Sequence, residues 1–128
     1  EVWSDFLSER PSDRFIVDVG HSQGAIHSRH SLEHSDEEVR KRVFCLLVAP
    51  GAHVNRDICG EAKHFESERD FVPLFDYLLG GTRNCGPIIR LEPHPDAPLF
   101  DHFIDSPTYA ESIQDTILHY IQQNGASL

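Results

Sequence analysis

Phe15-Ile16-Val17-Asp18-Val19-Gly20-His21-Ser22-Gln23-Gly24-Ala25 is the stretch on which the fold turns. Phe15 to Val19 is a short, largely β-branched run bounded by turn residues and reads as a strand. Gly20 to Gly24 carries the pattern G-x-S-x-G, a sharp turn, and a helix is predicted to leave it from Ala25 to about Leu32. Strand, tight glycine turn and helix in that order form a nucleophile elbow, in which strained backbone exposes a serine above a sheet edge. Gly20 and Gly24, lacking Cβ, are expected to let strand and helix approach closely. Ser22 is then the candidate nucleophile. The N–H of Gln23 is expected to face the place where an oxyanion would form.

Outward from the elbow, Val43 to Ala49 is nearly all apolar, which suits a strand covered on both faces. Ala62 to Glu66 and Pro87 to Leu91 read as further strands. Val2 to Leu7 has the spacing of an amphipathic helix. Ser35 and Glu38 form a capping-box pattern that predicts a short helix to about Arg42. Phe71 to Leu79 predicts a short helix or an ordered loop. Ser106 caps a last helix with Pro107 in its first turn, an inner stripe of Ala110, Ile113, Ile117, Leu118 and Ile121, and an end at Gly125. The prediction is an α/β domain, residues 1–128, with a mostly parallel sheet of about four strands flanked by helices.

Composition narrows the partners. The 128 residues are 39% hydrophobic and 25% charged, the balance of a globular chain. A net charge of -10 with scattered basic residues predicts no nucleic-acid partner. Arg40-Lys41-Arg42 follows Asp36-Glu37-Glu38, so this mixed run reads as a solvated helix turn. Cys45, Cys59 and Cys85 form no C-x-x-C pair, and an odd count argues against a disulfide framework. No apolar stretch is long enough to span a bilayer, and no signal-peptide pattern opens the chain. Glu1 begins a sequence without Met, as expected of a piece of a longer protein. Membrane association is expected only through sequence outside it.

A serine nucleophile needs a histidine base and a carboxylate that orients it. With a nucleophile elbow the chain order is serine, acid, histidine, each after a successive strand. Asp70 follows the strand Ala62 to Glu66, and His102 lies in the long loop after Pro87 to Leu91. They are the candidate acid and base. Asp76 is the runner-up acid. His94 is the alternative base, disfavoured because it sits so close to its strand end. His21, beside the nucleophile, is expected to pack beneath it rather than act as base.

His27, His30 and His34 share a helical face at i, i+3 and i+7, and a histidine pair one turn apart can ligate zinc. H-E-x-x-H is absent, and no acidic ligand accompanies them. Solvated surface histidines are expected, with no metal and no cofactor.

Gly20-His21-Ser22-Gln23-Gly24 with Asp70-Phe71-Val72-Pro73 downstream is similar to lipases and other α/β-hydrolases, in which an aspartate followed by an apolar residue, valine and proline often supplies the acid of the triad. Most of the chain also resembles a family of uncharacterised chlamydial proteins. The resembling stretches are Gly20 to His27, Arg40 to Arg42, Ala49-Pro50, Arg69 to Pro73, Leu91 to Pro98, Asp101-His102 and Ser106 to Tyr109. That family lends no activity; the lipase-like families lend the triad roles. The resemblance implies the C-terminal half of an α/β-hydrolase fold. About fifteen residues precede the elbow strand, where a complete fold has several strands and a loop that supplies a second oxyanion-hole N–H. The open edge left at Phe15 to Val19 predicts self-association of the isolated chain. The implied activity is hydrolysis of an ester or related acyl bond in a small or lipid-like substrate. The alternative is an inactive hydrolase-fold scaffold that keeps the elbow for its packing.

Overall fold

The computed structural model describes residues 2–9 and 14–124. Four strands, β1 (Ile16–Ser22), β2 (Val43–Pro50), β3 (Glu61–Ser67) and β4 (Ile88–Leu91), form one sheet in the order β1-β2-β3-β4. Every neighbouring pair is parallel. Among the described residues five α-helices accompany them: α1 (Val2–Ser8), α2 (Gln23–Glu33), α3 (Glu37–Arg40), α4 (Leu74–Leu78) and α5 (Pro107–Gln123). The predicted α/β class with a parallel sheet is the observed one.

Alternation along β2 divides the core. Val43, Cys45 and Leu47 point to one face, where they meet Ala25 and Leu32 of α2 together with Trp3 and Ile16. Leu46 and Val48 point to the other, where they meet Tyr109 and Tyr120 of α5 with Phe65. Burying each large apolar side chain contributes roughly 1.5–3 kcal/mol, so the central strand anchors both layers. Cys45 is completely buried, as its apolar run predicts.

Several local expectations are corrected. Ser35 makes no capping box: its hydroxyl donates back to the carbonyl of Ser31, and α3 begins after Asp36 without a side-chain cap. The inner stripe of α5 is rotated. Its buried residues are Tyr109, Thr116 and Tyr120, with Ile113 and Ile117 packed beside them, whereas Ala110 and Leu118 are exposed. The tyrosines win the core because their hydroxyls find partners there. Tyr120 donates to the carbonyl of Cys45 at 3.2 Å, and Tyr109 donates to the carbonyl of Asp101 at 3.0 Å. The predicted end of this helix at Gly125 lies outside the described residues.

Candidate active site

Parallel strands deliver their following loops to one edge of a sheet, and three of those loops build the site. The elbow comes first. Ser22 ends β1 with φ 52° and ψ -119°, a left-handed backbone that serine seldom adopts and that costs about 1–3 kcal/mol. Gly20 makes the turn possible. A Cβ there would lie 2.8 Å from Leu47 Cδ2 and 3.1 Å from the Ala25 backbone. Gly24 does not share that duty: the space around it is open, contrary to the sequence expectation. Gln23 opens α2, so its N–H belongs to a helical first turn whose amides lack intrahelical acceptors.

The loop after β3 supplies the candidate acid. Asp70 has a fully buried side chain, and its Oδ1 accepts the Val72 N–H at 3.0 Å, which closes a turn ahead of Pro73. The loop after β4 supplies the histidine. His102 Nδ1 lies 2.9 Å from Asp70 Oδ2, and His102 Nε2 lies 2.8 Å from Ser22 Oγ. A carboxylate only accepts, so Nδ1 carries the proton and Nε2 is free to accept from the serine hydroxyl. The structure thus brings Ser22, His102 and Asp70 into one hydrogen-bonded line.

Neighbours fix this imidazole on several sides. The Phe100 ring lies parallel to it, 5.4 Å away and 10° from coplanar, and Phe71 stacks on Phe100 at 4.7 Å. His21 Nε2 donates to the carbonyl of His102 at 2.6 Å, which ties the His102 loop to the residue before Ser22. Asp101 is completely buried and accepts from the Ser67 hydroxyl at 2.7 Å and from Thr108. Burial pushes the Asp101 carboxyl up, but the hydroxyls of Ser106, Thr108 and Ser67 outweigh that and hold it below its ordinary value. The His102 loop is therefore pinned to β3 and α5 one residue before His102. Sequence reading passed over Asp101. The available signal was an aspartate beside the candidate base and ahead of the Ser106–Thr108 cap.

The remaining candidates lie elsewhere. The His94 ring is 45% exposed and lies 3.8 Å from Asp96, and its backbone N–H donates to Thr108, so it caps a turn rather than facing Ser22. Asp76 is buried and bonds to His53, while His102 Nδ1 bonds to Asp70 instead. His27 and His30 on α2 and His34 just beyond its end are exposed, with the last two rings packed at 4.2 Å. Among the described residues no group of histidine, cysteine, aspartate and glutamate side chains converges to hold a metal ion, and no helix is long and apolar enough to cross a membrane.

A second polar cluster, unforeseen in the sequence, lies beside the Asp70 loop. His53 is completely buried in the connection between β2 and β3. Its Nδ1 is 2.8 Å from Asp76 Oδ2, its Nε2 is 2.6 Å from Glu66 Oε1, and its backbone N–H donates to Asp76 Oδ2 at 2.8 Å. Burial pulls the His53 pKa down, but hydrogen bonds to Glu66 and Asp76 more than offset it, and the net shift is upward. Neighbouring His64 is also completely buried. It donates from Nδ1 to the carbonyl of Pro87 and accepts the Val54 N–H at Nε2, and burial drives its pKa down to about 4. His64 is therefore neutral at physiological pH.

Compared with known protein families, curated proteins and solved structures, the chain matches none.

Proposed function

We propose that this chain carries the catalytic centre of a serine hydrolase of the α/β type. More particularly, it would cleave an ester or related acyl bond in an apolar, lipid-like substrate. The observation that carries the reading is the continuous line from Ser22 Oγ to His102 Nε2 and from His102 Nδ1 to Asp70, at 2.8 and 2.9 Å. In this mechanism Ser22 attacks the acyl carbon while its proton passes to His102 Nε2. Asp70 holds the tautomer and stabilises the imidazolium, and His102 then delivers the proton to the leaving group. The Gln23 N–H stabilises the oxyanion of the tetrahedral intermediate. No cofactor is needed for these steps.

The apolar substrate class draws support from Phe71, Leu99 and Phe103, which are 56, 88 and 53% exposed on the acid and base loops. Exposed aromatic and aliphatic groups beside a reacting centre favour apolar ligands over charged ones. The lipase-like pattern of the elbow and of Asp70 to Pro73 points the same way. The resemblance to chlamydial proteins adds no substrate. The edge position of β1, with Val19 44% exposed, supports self-association of the isolated chain.

The test is labelling by a fluorophosphonate probe, which traps a serine only where a base activates it. The intact protein should label at one site, and Ser22→Ala should abolish the signal. Absence of labelling in the intact protein would leave the scaffold role instead.

A further inference from the structure

Segment 66–76 carries Asp70 near its middle, and its two ends carry Glu66 on β3 and Asp76 on α4. Both end carboxylates bind the same buried ring, that of His53. Carboxylate oxygens only accept, so each ring nitrogen must donate, and the ring that satisfies both is an imidazolium. A neutral ring would leave one contact without a proton, two carboxylates against one donor, around a ring closed to solvent.

We propose that His53, as an imidazolium, is a positioning residue that staples the two ends of segment 66–76 and thereby holds Asp70 against His102. This rests on the hydrolase reading only for its consequence in catalysis. Loss of the His53 proton releases one end of the segment. There is room for it to move, because a cleft of about 250 Å³ opens beside it, lined by Glu66, Arg69, Asp70, Phe71, Tyr77 and Arg90 among others.

The groups around His53 support this assignment. From β3 come Glu66 and neutral His64, whose ring centroid is 5.1 Å away. From α4 come Asp76 and Tyr77, whose hydroxyl donates to Glu66 Oε2 at 3.2 Å. Arg29 of α2 reaches Asp76 at 3.3 Å, and Arg90 of β4 stands 3.9 Å from Glu66. Cys85 stays a neutral thiol, its pKa raised by burial. Both arginines approach from the outer side, 33 and 60% exposed, so His53 is the one cation inside the pair of carboxylates among the described residues.

Glu66→Gln separates positioning from plain structural support. The amide introduced at this position would donate its N–H to His53 Nε2 and accept from Tyr77 with its oxygen, while His53 Nδ1–H still donates to Asp76. A neutral ring then satisfies every partner. In the unsubstituted protein the probe-labelling rate of Ser22 should fall about tenfold or more as pH rises through the His53 titration, and Glu66→Gln should remove that alkaline fall. An identical alkaline fall in both proteins would overturn the proposal. Imidazole NMR of the unsubstituted protein supplies a readout independent of catalysis and of the variant's folding. The downfield His102 Nδ1 proton, bonded to Asp70, should disappear over the pH range in which His53 loses its proton. Its persistence through that range would equally overturn the staple. Should Ser22 never label at any pH, the hydrolase reading fails, and the His102 proton alone decides the staple.

Discussion

His102 and His53 occupy two regions of one sheet edge and are each held by a carboxylate on Nδ1, at 2.9 and 2.8 Å. They differ at Nε2. His102 meets the Ser22 hydroxyl, a group that can donate; His53 meets Glu66, a group that can only accept. The first ring keeps a lone pair facing a hydroxyl oxygen and is 12% exposed, while the second is sealed at 0%. The comparison teaches that a carboxylate–histidine pair does not by itself make a base. The second partner decides whether the ring has a proton to take or a proton it must keep.

The largest expected effects come from breaking each region by truncation. His102→Ala should lower probe labelling of the intact protein on the order of 10⁴-fold or more, with a smaller loss of unfolding free energy than His53→Ala, because only one carboxylate, Asp70, loses its partner. Asp70→Asn should retain more activity than Ser22→Ala. His53→Ala should lower labelling as well, because the staple that holds Asp70 is lost, but its larger effect should be on stability. It leaves Glu66 and Asp76 facing each other in a buried site and should cost about 3–5 kcal/mol in urea unfolding. Equal destabilisation by the two alanine variants would break the comparison.

Next in size is the pH dependence of stability. The folded pKa of His53 is raised, so its contribution is complete below its unfolded value of about 6.5 and is lost as pH rises through the folded pKa. The folded pKa of His64 is lowered to about 4, so its neutral form contributes above about 6.5 and that stability, about 3 kcal/mol, is lost as pH falls from about 6.5 toward 4. Urea midpoints should therefore decline on both sides of a maximum. His53→Leu should remove the alkaline decline and His64→Gln the acid one. A flat alkaline side in the unsubstituted protein would sink the imidazolium assignment.

The smallest effects contrast two glycines. A Cβ at Gly81 would overlap the Asp76 carboxylate, so Gly81→Ala should push that carboxylate off His53 and cost about 1–3 kcal/mol. Gly24 lies in open space within α2, so Gly24→Ala should be neutral or stabilising by up to about 1 kcal/mol. Thermal midpoints of the two variants would sharpen the distinction between the packed cluster and the open elbow helix.

Much of the site's framework was legible because its signals are local. A β-branched run before G-x-S-x-G, and a chain order that hangs each polar residue on a successive strand, can be read without coordinates. The choice of His102 over His94 also followed from loop length, since only the longer reach can bend back to the elbow. The packing of α5 was less legible. Leu118 and Tyr120 both fit an apolar stripe in sequence, and only the carbonyl of Cys45, 75 residues away, gives the tyrosine hydroxyl a buried partner. The Ser35 capping box failed for a related reason: a serine hydroxyl can serve either helix end, and here the end of α2 takes it.

The sequence by itself determined the α/β class, the four strands and the residues offered at the sheet edge, because periodicity, turn chemistry and chain order are properties of neighbours along the chain. Only the tertiary structure decided that a second histidine, His53, faces two carboxylates. His53, Glu66 and Asp76 stand 13 and 23 residues apart on a connection, a strand and a helix with no shared period. Their meeting, and with it the protonation each ring must hold, depends on how the elements pack around a site from which water is excluded.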